Sequence, residues 1–182
     1  MQKEITTDGI IEALGNIISS GDTGATKEIM KKLKQSHPET IQGMLGLMAR
    51  KALGMGMFFH SGSKVTIIDP AHCPNFSTLL CHELKNLHSD SERVTFRWAF
   101  TEIENGNHYL PDDTIALYGY SDYAILLIDV IAVECDSHMV KKMTEMVKQM
   151  SQDTVAIVMT IINRGFTAES LGVDEFYPLL EL

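Results

Sequence analysis

The sequence predicts a mainly α protein, a compact multi-helix domain over residues 1–182 with one small β-hairpin near residues 57–68. Three observations lead to this fold class. Apolar residues recur at spacings of three and four along most of the chain, residues that favour helix starts precede several of these segments, and only one short stretch has the character of a pair of strands. No linker, internal repeat or low-complexity tract interrupts the chain.

The individual elements follow from local signals. Pro38 suits the first turn of a helix, Gly54 suits its end, and Ser61-Gly62-Ser63 lies between two apolar runs as a hairpin turn does. Asp8 is a good cap for a helix at the start of the chain. In order, we expect a helix after Asp8 up to about 18, helices over about 26–35 and 38–54, the hairpin over 57–68, helices over about 77–88, 90–104, 121–134, 137–150 and 152–164, and one further helical turn with an apolar tail over 167–182.

Composition narrows the classes of partner and the compartment. Fifteen basic and 24 acidic residues give a formal net charge of −9, which repels nucleic-acid backbones and anionic lipid. The most apolar run, 124–133, is far shorter than the roughly 20 residues that span a bilayer, and the N-terminus lacks a signal-peptide pattern. The chain has three cysteines, which is an odd number and too few for a secreted disulfide scaffold. We therefore expect a cytoplasmic protein with no membrane span and no direct nucleic-acid binding.

Eleven methionines are many for 182 residues, and four of them follow helical spacing. Met139, Met143, Met146 and Met150 are separated by four, three and four residues, so they share one face of a helix. This seam has two interpretations. It is the buried face of an amphipathic helix, or it is an adaptable interaction surface, because flexible thioether side chains repack against varied shapes.

A polar loop supplies the candidate metal ligands. His108, Asp112, Asp113 and Asp122 lie within fifteen residues of one another, around Pro111 and Gly119. Carboxylates and an imidazole in this pattern could hold a divalent cation or act as a general base. The alternative is structural, because aspartates at such positions cap helices and shape turns. On that second interpretation the protein carries no cofactor.

The same region resembles a known family. Leu110-Pro111-Asp112-Asp113-Thr114 and Gly119-Tyr120-Ser121-Asp122 are similar to the loop and helix start of the YkvA-like family, small bacterial helical domains of unknown function. The resemblance covers about residues 97–131. It implies a helix, a polar loop and a second helix in this segment, and it implies no established reaction.

These observations support three hypotheses about function. The first is a non-enzymatic adaptor or regulatory module that contacts a protein partner, or a second copy of itself, through its Met-rich and apolar helix faces. The second is a metal-dependent, hydrolase-like enzyme centred on the loop at 108–122. The third is an acidic inhibitor or accessory subunit of a larger prokaryotic or phage machine. Because the chain has no phosphate-binding P-loop, dinucleotide motif or nucleophile elbow, the non-enzymatic hypothesis is preferred.

Overall fold

In the computed structural model of the protein, five parallel strands form its centre. The structure describes residues 22–70, 76–87, 94–105, 107–111 and 121–182, together with residues 12, 15, 16 and 19. The helices are α1 (Thr23–Ser36), α2 (Pro38–Gly54), α3 (Phe76–Leu87), α4 (Glu134–Met150) and α5 (Ala168–Leu171). The strands are β1 (Lys64–Asp69), β2 (Thr95–Phe100), β3 (Glu102–Glu104), β4 (Asn107–Tyr109), β5 (Tyr123–Ile131), β6 (Val155–Asn163) and β7 (Glu175–Glu181).

The main sheet has the order β2-β1-β5-β6-β7, and every neighbouring pair is parallel. From β1 the chain passes through α3 to β2 on one side, whereas from β5 it passes through α4 to β6 on the other side. The direction of winding therefore reverses between β1 and β5. Strands β3 and β4 form a separate two-stranded antiparallel sheet.

Helices cover both faces of the sheet. On one face, Met44 and Leu45 of α2 and Leu80 of α3 pack in a buried cluster with Ile125 of β5. On the other face, Val140, Met143 and Val147 of α4 pack with Leu126 of β5 and Val158 of β6. Right-handed crossovers that run in opposite directions from the centre of a sheet place their helices on opposite faces, so the result is a three-layer α/β/α architecture.

The predicted mainly α fold class is therefore wrong. Parallel strands that are covered on both faces read as nearly continuous apolar runs, and such runs also contain apolar residues at helical spacing. In β5 every residue is buried except Asp129, and in β6 every residue is buried except Val155. Neither strand shows the alternation that marks a half-buried strand.

The outcome differs from element to element. The helices predicted over 26–35, 38–54 and 137–150 are confirmed, and so is the part of 77–88 that the structure describes. The helices predicted over 90–104, 121–134 and 152–164 are wrong, because β2 and β3 lie in the first of these ranges, β5 in the second and β6 in the third. The predicted hairpin is also wrong, because 57–60 is not a strand and β1 instead pairs in parallel with β2 and β5. The helix predicted after Asp8 lies almost wholly outside the described residues.

Within the described part of the chain, none of the helices combines the length and the apolar character needed to cross a bilayer.

Candidate functional site

The reversal of winding locates the candidate site. In open α/β sheets, ligands bind outside the carboxyl ends of the strands, at the point where the strand order reverses. Here that point lies between the ends of β1 and β5. The polar groups at this carboxyl edge come from the strand ends, from the start of α4, and from α1, whose side chains reach the ends of both β5 and β6.

Strand β1 ends in a buried carboxylate. Asp69 is 1% exposed, and its two carboxylate oxygens accept the backbone N–H of Ser77 at 3.0 and 2.9 Å. Burial raises the pKa of Asp69 to about 6, although the N–H of Ser77 and the nearby charge of Lys34 act in the opposite direction. Asp69 therefore gains or loses a proton near pH 6, at the buried carboxyl end of β1.

Strand β5 carries the second acid. Asp129 forms an ion pair with Lys34 of α1, and the ammonium of Lys34 also lies 5.3 Å from the ring centroid of Phe76, the first residue of α3. Lys34 thus connects α1 with β5, through Asp129, and with the start of α3, which follows β1.

The start of α4 holds a third carboxylate. Oδ2 of Asp136 accepts the backbone N–H groups of Ala132 and Val133 at 3.0 and 3.1 Å, while Lys27 of α1 donates to Oδ1 at 2.8 Å. Asp136 is 8% exposed. Its negative charge lies where the amides and the dipole of a helix N-terminus favour an anion.

Arg164 follows the end of β6. Its backbone N–H donates to the carbonyl of Ile131 at 2.9 Å, and its Nη2 donates to Oγ1 of Thr26 at 3.0 Å. The N–H donors of Ala25 and Gly24 hold the pKa of Asp22 below its ordinary value, and the charge of Arg164 adds to this effect. The buried Nε of Arg164 has no hydrogen-bond partner among the residues that the structure describes.

An open cavity of about 490 Å³ lies at the opposite, amino edge of the sheet. Its lining includes His60, Ser63, Asp122 and Asp153. Because it lies at the amino ends of β1, β5 and β6, it is in the wrong place for the usual ligand crevice of an open α/β sheet.

The methionine seam faces the sheet. Met143 is completely buried, and Met139, Met146 and Met150 are half-buried against the same apolar cluster. This is the arrangement expected of the buried face of an amphipathic helix. Contact of these residues with a partner chain stays a prediction.

The predicted acidic loop is only partly described. The carboxylate of Asp122 accepts the backbone N–H of Lys64 at 2.7 Å, at the amino edge of the sheet. His108 lies in β4, while Asp112 and Asp113 lie outside the described residues. Among the side chains that the structure describes, no group of three or more His, Cys, Asp or Glu residues is arranged to hold a metal ion. A divalent cation at 108–122 stays an untested prediction.

Sequence reasoning missed Asp69, Asp129, Asp136 and Arg164 as site residues. Three of these were visible as acids at or near the ends of apolar runs. Their significance depends on recognising those runs as parallel strands, because the carboxyl ends of parallel strands meet at one edge.

No family model and no curated protein matches the chain. Solved structures do match. The hypoxanthine-guanine phosphoribosyl transferase of Leishmania donovani is 10% identical, with 78% of this chain and 77% of that chain covered and a TM-score of 0.50. A variant of the Trypanosoma cruzi hypoxanthine phosphoribosyltransferase, in complex with the product IMP, is 12% identical, with 79% and 73% covered and a TM-score of 0.47. At this identity the likeness is one of fold.

This fold corrects the remaining sequence predictions. The resemblance to the YkvA-like helical family is wrong, since residues 97–131 contribute β2, β3, β4 and β5 where that family implies two helices. The adaptor, the metal-dependent hydrolase and the acidic inhibitor were all inferred for a helical domain. They are overturned with it, because the chain has a parallel α/β fold similar to that of the Leishmania donovani enzyme.

Proposed function

We propose that this chain binds a ribose phosphate, such as a nucleoside monophosphate, at the carboxyl edge of its sheet. The observation that carries the proposal is the buried Nε of Arg164, beside the ends of β5 and β6, for which the described part of the chain provides no hydrogen-bond acceptor. A guanidinium is well suited to phosphate, because its N–H groups form a rigid planar set of donors.

An anionic ligand that accepts from Nε of Arg164 would gain free energy, because it would satisfy a buried N–H donor. A buried donor without an acceptor costs about 1–3 kcal/mol, and a phosphate oxygen at Nε would remove that cost. Nη2 would keep its bond to Thr26, so the guanidinium is already oriented. The chain carries a net charge of −9, and Lys27 and Lys34 are paired with Asp136 and Asp129. The positive charge that this edge offers to a phosphate is therefore that of Arg164, whose Nη2 donates to the neutral hydroxyl of Thr26.

The fold supports the ribose part of the proposal. One protein with a similar fold is named as a hypoxanthine phosphoribosyltransferase and was solved with its product IMP. We therefore propose phosphoribosyl transfer as the reaction class, to be tested by following the formation of IMP from hypoxanthine and a phosphoribosyl donor.

Calorimetric titration with IMP, ribose 5-phosphate and inosine tests the binding proposal. We expect both phosphorylated compounds to bind and inosine to bind at least about tenfold more weakly. Arg164→Gln should weaken IMP binding by about 10- to 100-fold, as expected for the loss of a hydrogen bond to a charged group. Arg50→Gln, the same change at an exposed position of α2, is the matched control. Equal affinities of the Arg164→Gln variant and the wild type for IMP would reject the proposal.

A cytoplasmic location and self-association also remain proposals. Trp98 and Phe100 of β2, which forms one edge of the described sheet, are 44% and 54% exposed. Apolar surface at a sheet edge supports contact with a second copy. Light scattering should then give a mass above 20.3 kDa, and a monomer at high concentration would contradict self-association.

A further inference from the structure

The open cavity at the amino edge of the sheet has no part in the proposed phosphate site. Its volume of about 490 Å³ lies within the range of pockets that hold small molecules. We use the name amino-edge cavity for this space, which is formed by residues 60–63 before β1 and by residues around the starts of β5 and β6. Three separate parts of the chain therefore meet around one small volume.

Two of the residues that line the cavity are buried residues with a hydroxyl group. Ser63 and Tyr123 are 7% and 9% exposed. Both backbone groups of Ser63 are engaged, because its N–H donates to the carbonyl of His60 at 3.0 Å and its carbonyl accepts from Thr95 at 2.8 Å. The ring of Tyr123 packs edge-on against Phe59, with 5.1 Å between the ring centroids. In both residues the hydroxyl is therefore the polar group left to face the cavity.

These two hydroxyls lack hydrogen-bond partners. Neither forms a hydrogen bond with any residue that the structure describes, and both oxygens are accessible from the cavity. Most polar side-chain atoms of buried residues in proteins are hydrogen-bonded. Two unpaired hydroxyls in the lining of one cavity therefore point to a ligand that forms hydrogen bonds with them.

The same lining carries two carboxylates with unused oxygens. Asp122 directly precedes β5, and Asp153 lies two residues before the neighbouring strand β6. Oδ2 of Asp122 accepts the backbone N–H of Lys64 at 2.7 Å, which leaves Oδ1 for a ligand. The carboxylate of Asp153 forms no hydrogen bond or ion pair within the described part of the chain. Both aspartates are exposed, so their charges are available to a ligand.

The charge of this lining favours a cation. Among the described residues that line the cavity, none is a lysine or an arginine. Lys148 donates to the carbonyl of Thr154 at 2.6 Å, next to Asp153, but its charge is paired with that of Asp174 at 2.7 Å. An anion would therefore be repelled, whereas an organic cation would find carboxylates for its charge and hydroxyls for its other N–H groups.

We propose that the amino-edge cavity binds a small organic diamine. Its two ammonium groups pair with Asp122 and Asp153, and the hydroxyls of Ser63 and Tyr123 accept further N–H groups of the ligand. A diamine suits these groups better than a metal ion, because no three His, Cys, Asp or Glu side chains of the described residues are arranged to hold one. The cavity and the carboxyl edge are at opposite ends of the strands, so this inference does not rest on the proposed function.

Calorimetric titration with 1,4-diaminobutane and with 1,4-butanediol tests the charge of the ligand. The two compounds have the same carbon chain, but only the diamine is charged near neutral pH. We expect the diamine to bind and the diol to bind at least about tenfold more weakly. Equal affinities for the two compounds, or no binding of the diamine, would overturn the proposal.

Asp153→Asn and Tyr123→Phe test the lining with little change in shape. Asp153→Asn removes one charge at an exposed position and should weaken binding of the diamine about tenfold or more. Tyr123→Phe removes only the phenol oxygen and keeps the ring against Phe59, and it should weaken binding about three- to tenfold. Unchanged affinity for the diamine in both variants would reject the site.

Glu181→Gln is the matched control for the loss of a charge. Glu181 is exposed and lies at the carboxyl end of β7, at the other edge of the sheet. This variant should bind the diamine as the wild type does. A loss as large as that of Asp153→Asn would overturn the proposal, because the effect would then be one of net charge.

Two further titrations separate this site from other possibilities. If Ca²⁺ binds more tightly than the diamine and loses affinity in Asp153→Asn, the cavity is a metal site and the proposal is overturned. Arg164→Gln should bind the diamine as the wild type does, whether or not IMP binding depends on Arg164. Loss of diamine binding in Arg164→Gln would contradict a separate site at the amino edge.

Discussion

Replacement of Asp69 by asparagine should change how the stability of the protein depends on pH. Burial raises the pKa of Asp69 from 3.8 to about 6 in the folded state, so folding favours its protonated form. The stabilising contribution of this protonation is therefore complete below about pH 4 and is lost as the pH rises through 6. The difference of about 2 between the two pKa values corresponds to about 3 kcal/mol.

About 2 kcal/mol of this change falls between pH 4 and pH 7. Urea unfolding of the wild type and of Asp69→Asn at both pH values measures it, because asparagine does not ionise and the other titrating groups cancel in the comparison. Relative to the variant, the wild type should lose about 2 kcal/mol of unfolding free energy between pH 4 and pH 7. A difference between the two proteins that stays constant over this range would refute the assignment of a buried, proton-binding carboxylate at the end of β1.

Two further substitutions test the packing and the backbone. Met143→Ala removes a completely buried side chain and should lower the free energy of unfolding in urea by about 2–5 kcal/mol. Met139→Ala, at a half-buried position, should lower it clearly less. Equal losses in the two variants would contradict the packing of α4 on the sheet. Gly172→Ala introduces a side chain at a φ of 69° and should lower the free energy of unfolding by about 1–2 kcal/mol. Gly54→Ala, at the end of α2 with open space around it, should not lower it. A Gly172→Ala variant as stable as the wild type would exclude the left-handed conformation after α5.

The outer layers of the fold were predictable from the sequence, but its centre was not. Helices α1, α2 and α4 each bury one stripe and expose the other, so their apolar residues recur with the period of a helix. Strands β5 and β6 bury both faces, and burial of both faces removes the alternation by which a strand is recognised. The sequence therefore predicted helices in place of the central strands β5 and β6, and the predicted fold class was wrong for that reason.

The candidate site shows the same division. Asp129 was visible as a charge that interrupts an apolar run, and Asp69 as an acid before a proline. Interpreted as ends of parallel strands, these two acids would have indicated the carboxyl edge. The contacts of Arg164 with Thr26 and of Lys27 with Asp136 join residues more than 100 positions apart, and no local pattern encodes them. They depend on how α1 is placed relative to the sheet.

A crystal structure of this chain with IMP would test most directly whether the carboxyl edge is a phosphate site. We expect a phosphate oxygen at hydrogen-bond distance, about 2.7–3.2 Å, from Nε of Arg164. Density for the nucleotide in the amino-edge cavity beside His60 and Ser63, with Nε of Arg164 still unpartnered, would contradict the proposal.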